Sequence, residues 1–209
     1  MNNNIQILKP FGPSVIKVKI PEKIIKELNN YIDDVVENQI KSKELDHGHK
    51  LIGDVTQEFK LENELSKKIG WIDFLAACVS KWILTVSNKK ITKFSLINSW
   101  VVRQFENEYN PVHHHSGHIS GAGFLKLPKS FGEFVQKKEK DYLGGTLNLI
   151  HGSHQFLSNS VYTIKPEVGD FYFFPHYLMH SVYPFKGTSE ERRSISFNGL
   201  IDDEIFRNI

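Results

Sequence analysis

The chain has one cysteine, Cys78, so an intrachain disulfide framework is excluded and the fold must rest on packing and hydrogen bonding. It also lacks a long uninterrupted apolar run. The longest stretch, Trp71 to Val86, is broken by Asp73, Ser80 and Lys81, which argues against a membrane span. The start, Met1-Asn-Asn-Asn, has neither the basic nor the apolar region of a secretory signal. A cytoplasmic protein is expected from these absences. Charge of one sign is not in excess either: 26 Lys+Arg stand against 24 Asp+Glu, distributed along the whole chain, so the electrostatic footprint of a nucleic-acid binder is missing. There is no internal repeat. A length of 209 residues suffices for one sizeable core and demands no second, so a single domain over 1–209 is expected.

Short alternating apolar runs at Ile5 to Leu8 and Val15 to Ile20 predict two strands joined by a turn at Pro10, Gly12 and Pro13. After Pro21, residues Ile24, Ile25, Leu28, Tyr31, Ile32, Val35 and Val36 recur every three or four positions, which predicts an amphipathic helix. A charged loop is expected through Gly53. A second helical region is expected to begin near Glu58 to Glu62 and run through Leu84, becoming apolar all round and packing on a sheet. The helical support is thus placed at about 21–88. From Thr92 the period changes to two, with Phe94, Leu96, Asn98, Trp100, Val102 and Gln104 expected on one strand face. Further strands are predicted at Ile119 to Leu127, Gly145 to His151, Ser160 to Ile164, Asp170 to Phe174, Met179 to Tyr183 and Arg192 to Leu200, which gives a β-core at about 92–200. Helices followed by many short strands indicate an α+β chain with an antiparallel sandwich or barrel and helices packed on one sheet. The Lys- and Glu-rich segment from Lys126 to Tyr142 reads as a mobile loop of the length used for lids.

Chemistry concentrates in three places: His113-His-His-Ser-Gly-His118, His180 after the apolar Phe171-Tyr-Phe-Phe-Pro run, and Arg192-Arg-Ser-Ile-Ser-Phe-Asn198. Residues two apart on a strand share a face, so His113 and His115 project together and His114 projects away. Such a pair holds one ion with a third ligand from elsewhere in a closed sheet, and imidazole suits iron, zinc, copper and nickel. His180 is the candidate third ligand, since it emerges from a buried strand where an unpaired imidazole is hard to explain. A lone core histidine is ordinarily a hydrogen-bonded structural group; the nearby cluster is what separates His180 from that case. Arg192, Ser194, Ser196 and Asn198 alternate with Arg193, Ile195 and Phe197, so one face of this strand is polar. A guanidinium fixed on it suits a carboxylate, with Ser194 donating beside it, unless the arginine pairs with Glu190 or Glu191 at an exposed edge.

These motifs, with Gly144-Gly-Thr-Leu147 and Val168-Gly-Asp-Phe-Tyr-Phe-Phe-Pro175, resemble the iron(II)- and 2-oxoglutarate-dependent dioxygenases, and more narrowly 2-oxoglutarate oxygenases of marine bacteriophages and bacteria. The resemblance covers roughly Asn98 to Leu200 and four motifs in order. It implies a double-stranded β-helix (jelly-roll, cupin-like). It also implies Fe(II) held by His113 and His180, and 2-oxoglutarate with its far carboxylate on Arg192 and Ser194. The location it implies is the cytoplasm of a bacterial or phage-infected cell. The implied activity is an oxygenase, most simply a hydroxylase releasing succinate and CO2. Its substrate, small molecule or protein side chain, is not readable.

The superfamily pattern is His-x-Asp or His-x-Glu, and no acidic residue stands at that spacing here. If His113 is the first ligand, His115 takes the carboxylate's place and the metal set is His113, His115 and His180. If His114 is first, Ser116 fills the slot; if His115 is first, Gly117 leaves it empty, as in halide-binding relatives. His118 is a fourth option if Ser116-Gly117 makes a turn. Two other functions stay open: a three-histidine cupin-like dioxygenase without 2-oxoglutarate, and a non-catalytic binding domain on the same scaffold. His151 and His154 flank Gly152-Ser153 and read as a turn.

Overall fold

A computed structural model of the protein describes residues 12–208. The strand expected at Ile5 to Leu8 lies outside the described residues. In chain order the elements begin with β1 (Ile16–Lys19), α1 (Glu22–Glu37), α2 (Gln39–Leu45), a 3-10 turn at Gly48–Lys50, β2 (Gln57–Lys60), α3 (Asn63–Lys68) and α4 (Trp71–Ser87). There follow β3 (Phe94–Gln104), β4 (Asn110–His113), β5 (Ile119–Lys126), β6 (Leu147–Ile150) and β7 (Val161–Ile164). The chain ends with β8 (Asp170–Pro175), β9 (Met179–Val182), β10 (Arg192–Ile201) and α5 (Asp203–Arg207).

The strands form a six-stranded sheet, β1-β8-β5-β10-β3-β2, and a four-stranded sheet, β4-β9-β6-β7. Every pairing is antiparallel. One core lies between the sheets, with Phe124, Leu147, Leu149, Tyr172 and Phe174 buried in it. The architecture is the double-stranded β-helix expected from the sequence, with the helices on the outer face of the large sheet.

Burial on both faces of the large sheet explains the unbroken Phe171-Tyr-Phe-Phe174 run. Phe171 and Phe173 point into the helix-side core while Tyr172 and Phe174 point between the sheets. Against the outer face α1 packs Ile24, Leu28, Ile32 and Val35, and α4 packs Trp71, Leu75, Val79, Trp82 and Ile83. Losing one of the large aromatics there, as in Phe171→Ala, costs about 3–5 kcal/mol. Gly123 of β5 lets β8 approach closely, because a Cβ there would stand 2.4 Å from the Phe171 ring. No helix among the described residues is long and apolar enough to cross a membrane.

Four local expectations are corrected. The charged loop after α1 contains α2, because Asn38 ends α1 and its side chain accepts from the Ile40 and Lys41 amides, each at 3.1 Å. The second helical region is interrupted: Gln57–Lys60 is an edge strand on β3, and α3 and α4 are divided at Gly70, whose φ of 79° is left-handed. The two faces of β3 exchange at a bulge opposite Asn198 and Gly199, where Ile97 is the extra residue. Phe94 and Leu96 therefore join the helix-side core, while Asn98 lines the cavity described below together with Trp100. Finally, β1 and β2 from the N-terminal half join the sheet that was expected only from residue 92 onward. Residues 127–146 carry no helix or strand, as expected of a long loop, although Phe131 packs edge-on against Phe185 at 5.3 Å.

Candidate metal centre and anion clamp

Strands β4 and β9 pair so that His113 stands opposite His180, and β6 on the other side of β9 places Leu149 against His180. The chain leaves β4 after His113, and the His115 amide donates to the His176 carbonyl at 2.9 Å, anchoring the segment to the turn that follows β8. Gly117, at a φ of 92°, then turns the chain into β5. Three imidazoles meet at this corner. Ring centroids are 4.2 Å apart for His113 and His180, 4.6 Å for His115 and His180, and 5.3 Å for His113 and His115. One ring nitrogen from each of the three lies within 4.8 Å of the other two.

The tautomers favour a shared ion. The Nδ1–H of His113 has the Pro111 carbonyl at 2.7 Å, and that of His180 has the Leu178 carbonyl at 2.9 Å. Each such bond assigns the proton to Nδ1 and leaves an Nε2 lone pair for the centre. His115 Nε2 stands 3.2 Å from His180 Nε2. Two nitrogens about 2.1 Å from one ion, at right or tetrahedral angles, stand about 3.0–3.4 Å apart, so this spacing fits a common metal. Burial, then mutual repulsion, pushes His115 down to about 2; burial also leads in pushing His180 down to about 3 and His113 below the ordinary imidazole value. All three are neutral near pH 7, the state that ligates.

The remaining histidines are elsewhere. His114 is exposed and projects away from its neighbours, as strand alternation predicts. His118 stacks on Phe206 of α5 at 3.8 Å, and its Nδ1 accepts from the Ile201 amide at 3.2 Å, so the structure keeps it out of the cluster. Among the described residues no acidic side chain joins the three imidazoles.

Arg192 is 2% exposed on the inner face of β10. Its Nε donates to the Gly145 carbonyl at 2.9 Å and its Nη1 to Ser194 Oγ at 3.2 Å, with the Phe124 ring 5.0 Å away. No carboxylate of the described residues pairs with it. Burial pushes its pKa down to about 9, and the group stays a cation. The neighbouring acids serve other groups: Glu191 binds Arg193, Arg103 and Lys126, and Glu190 accepts from the Lys129 amide at 2.7 Å. A buried guanidinium with no counter-charge of its own could take an anion.

A cavity of about 470 Å³ opens at the histidines and is lined by Glu58, Trp100, Asn110, His113, His115 and Asn198 among others. Trp100 is buried and places its ring 5.3 Å from that of His115. Sequence reasoning missed Glu58, because the helix expected to start there hid the strand alternation that turns it inward.

Residues 98–198 match a protein family described as "Putative 2OG-Fe(II) oxygenase". A search of curated proteins gives no match. Among solved structures, a Pseudomonas putida prolyl-4-hydroxylase is similar at 12% identity over 90% of this chain and 91% of that one, with a TM-score of 0.58. A prolyl hydroxylase from Trichoplax adhaerens, in complex with a hypoxia inducible factor oxygen degradation domain peptide fragment, is similar at 15% identity over 94% and 86%, with a TM-score of 0.55. HygX from Streptomyces hygroscopicus, with nickel, 2-oxoglutarate and hygromycin B bound, is similar at 12% identity over 90% and 82%, with a TM-score of 0.56. At such identities the likeness is one of fold.

Proposed function

We propose, from the match of residues 98–198 to a 2OG-Fe(II) oxygenase family, that this chain hydroxylates a substrate C–H bond using dioxygen, with 2-oxoglutarate converted to succinate and CO2. His113, His115 and His180 hold Fe(II). Arg192, with Ser194, would take the far carboxylate of 2-oxoglutarate. Bound together, iron and 2-oxoglutarate supply the activation of dioxygen.

The observation that carries this reading is Arg192: a buried cation, without an acid of its own, on the same inner sheet face as Trp100, which touches the histidine cluster. Trp100 stands opposite Ser196, and Arg192 lies four residues further along β10, about 13 Å of strand at ~3.3 Å per residue. That separation suits a five-carbon dicarboxylate reached by a long arginine side chain. The protein set is unusual in being three neutral imidazoles, so it would bring no negative charge of its own to a bound metal. Phe174 and Trp100 beside the cluster keep its surroundings apolar and exclude water from one side.

The three-imidazole set also favours a second reading, a cupin-like dioxygenase in which Arg192 clamps the substrate's own carboxylate and 2-oxoglutarate is not used. Succinate formation separates the two: aerobic incubation with Fe(II) and 2-oxoglutarate yields succinate under the first reading and none under the second. Helices and both sheets are read as one domain over 1–209, supported by the packing of α1 and α4 on a single sheet. The solved relatives carry a peptide fragment in one case and hygromycin B in another, so a peptidyl side chain and a small molecule are both within reach of this fold.

A further inference from the structure

Glu58 is a buried acid that the reaction proposed above does not use. It is 2% exposed, and neither carboxylate oxygen has a hydrogen-bond partner. A carboxylate in that condition is costly, and native structures rarely leave one without a purpose. Its position is set by strand register: Glu58 pairs with Val102 and Lys60 with Trp100, so Glu58 shares the inner sheet face with the tryptophan that touches His115. Glu58 lines the same cavity as His113 and His115.

A second acid borders the same gap. The open side of Gly48, where a side chain would begin, is 3.4 Å from Asp46 Oδ1 and 3.5 Å from Glu58 Oε2. Gly53 brings the other end of this loop down on the carboxylate, its open side lying 3.0 Å from Glu58 Oε1 and 2.5 Å from Asn110 Nδ2. Lys50 and Lys60 line the cavity too, yet neither bonds Glu58. Burial, and then the negative charges of Asp46 and Glu108, push Glu58 up to about 8, as expected of an acid lacking its cation. Among the described residues the one set of three metal-capable groups is the histidine cluster. An organic cation therefore fits better than a metal ion.

We propose that Glu58, backed by Asp46, is the subsite that recognises a positively charged nitrogen of the substrate, an alkylammonium or guanidinium, and so sets the substrate class of the neighbouring metal centre. The loop at 46–53 borders this subsite through Gly48 and Gly53. The assignment rests on the oxygenase reading for the identity of the ligand as a substrate, while cation binding itself requires neither iron nor 2-oxoglutarate.

The test uses ligand-observed NMR on the full chain, with Nα-acetyl-lysine methylamide and Nα-acetyl-arginine methylamide as probes and the uncharged Nα-acetyl-norleucine methylamide as control. At least one cationic probe is expected to bind about tenfold more tightly than the control. Glu58→Gln, which keeps the shape and removes the charge, is expected to abolish that preference, and Asp46→Asn, at the exposed rim, to halve it or more. Absence of a preference in the wild-type chain, or its survival in Glu58→Gln, overturns the proposal. Should Glu58→Gln fail to fold, survival of the full preference in Asp46→Asn overturns it. An anaerobic titration with Fe(II) and 2-oxoglutarate reads the parent proposal separately: cation binding without cosubstrate binding removes the oxygenase context and leaves the subsite standing.

Discussion

Arg192 and Arg193 are neighbours in β10 that point to opposite faces of one sheet, and only Arg193 meets carboxylates. Arg193 binds Asp33 at 2.5 Å and Glu191 at 2.7 Å and donates to Asn29 on α1, whereas Arg192 has a carbonyl and a hydroxyl for partners. Strand alternation thus separates an arginine paired with carboxylates from one that meets none.

Their substitutions should diverge. Arg193→Met removes the bonds to Asn29, Asp33 and Glu191, although Arg103 and Lys126 still hold Glu191, and is expected to cost about 1–3 kcal/mol. Arg192→Met removes an uncompensated buried charge and is expected to leave stability at or above the wild-type value. Urea denaturation of both variants measures this, and a comparable loss in the two would contradict the distinction.

The same Arg192→Met variant should lose cosubstrate affinity. In wild-type protein loaded with Zn(II), saturating 2-oxoglutarate at about 100 times its Kd is expected to add about 2.7 kcal/mol of stability. The variant should gain little from the same addition. Arg192→Lys keeps the charge but not the planar fork, so an intermediate gain is expected.

Metal affinity should sort the histidines. His113→Ala, His115→Ala and His180→Ala are each expected to weaken Ni(II) or Zn(II) binding by about 100-fold or more, the upper end of what loss of a mere supporting contact costs. His114→Ala should bind metal as the wild type does. His118→Ala should also keep its metal and lose about 1 kcal/mol of stability with the Phe206 stack. Calorimetric titration of the five variants decides; metal loss in His118→Ala would move that residue into the ligand set.

Glu58 gives stability a pH dependence of definite sign. Its folded value is raised from 4.5 to about 8, so the folded state holds the proton more tightly than the unfolded one. Stability from this group is fully present below about pH 4.5 and is lost as pH rises to about 8. Glu58→Gln should therefore match wild type near pH 4.5 and exceed it by roughly 1–3 kcal/mol at pH 9, a Tm difference of roughly 2–12 °C. Parallel thermal melts across this range check it, and a constant difference would contradict it.

The parts of the molecule governed by period two were readable from the chain. Arg192 and Ser194 on one face of β10, with Arg193, Ile195 and Phe197 on the other, follow from alternation alone, and so does the exclusion of His114 from the face of His113 and His115. Convergence of His180 on that pair was anticipated from chemistry, since a buried histidine after Phe171-Tyr-Phe-Phe-Pro needs a partner. What escaped depends on contacts distant in sequence. Gln57–Lys60 has no strong local preference and becomes a strand by pairing with β3. The bulge at Ile97 falls where Gly199 passes close, its open side 2.8 Å from the Phe94 ring. The cavity position of Glu58 inherits both effects. α5 also escaped: it is short, and its Phe206 is held by His118, more than eighty residues earlier.

The central claim is that three imidazoles and one buried arginine jointly hold iron and 2-oxoglutarate. Anaerobic titration of the protein with Fe(II) and 2-oxoglutarate, followed by visible absorption, tests it most directly. The predicted result is a charge-transfer band that requires both additions, disappears in His180→Ala and weakens in Arg192→Ala. Metal binding indifferent to 2-oxoglutarate, with no such band, would contradict the account.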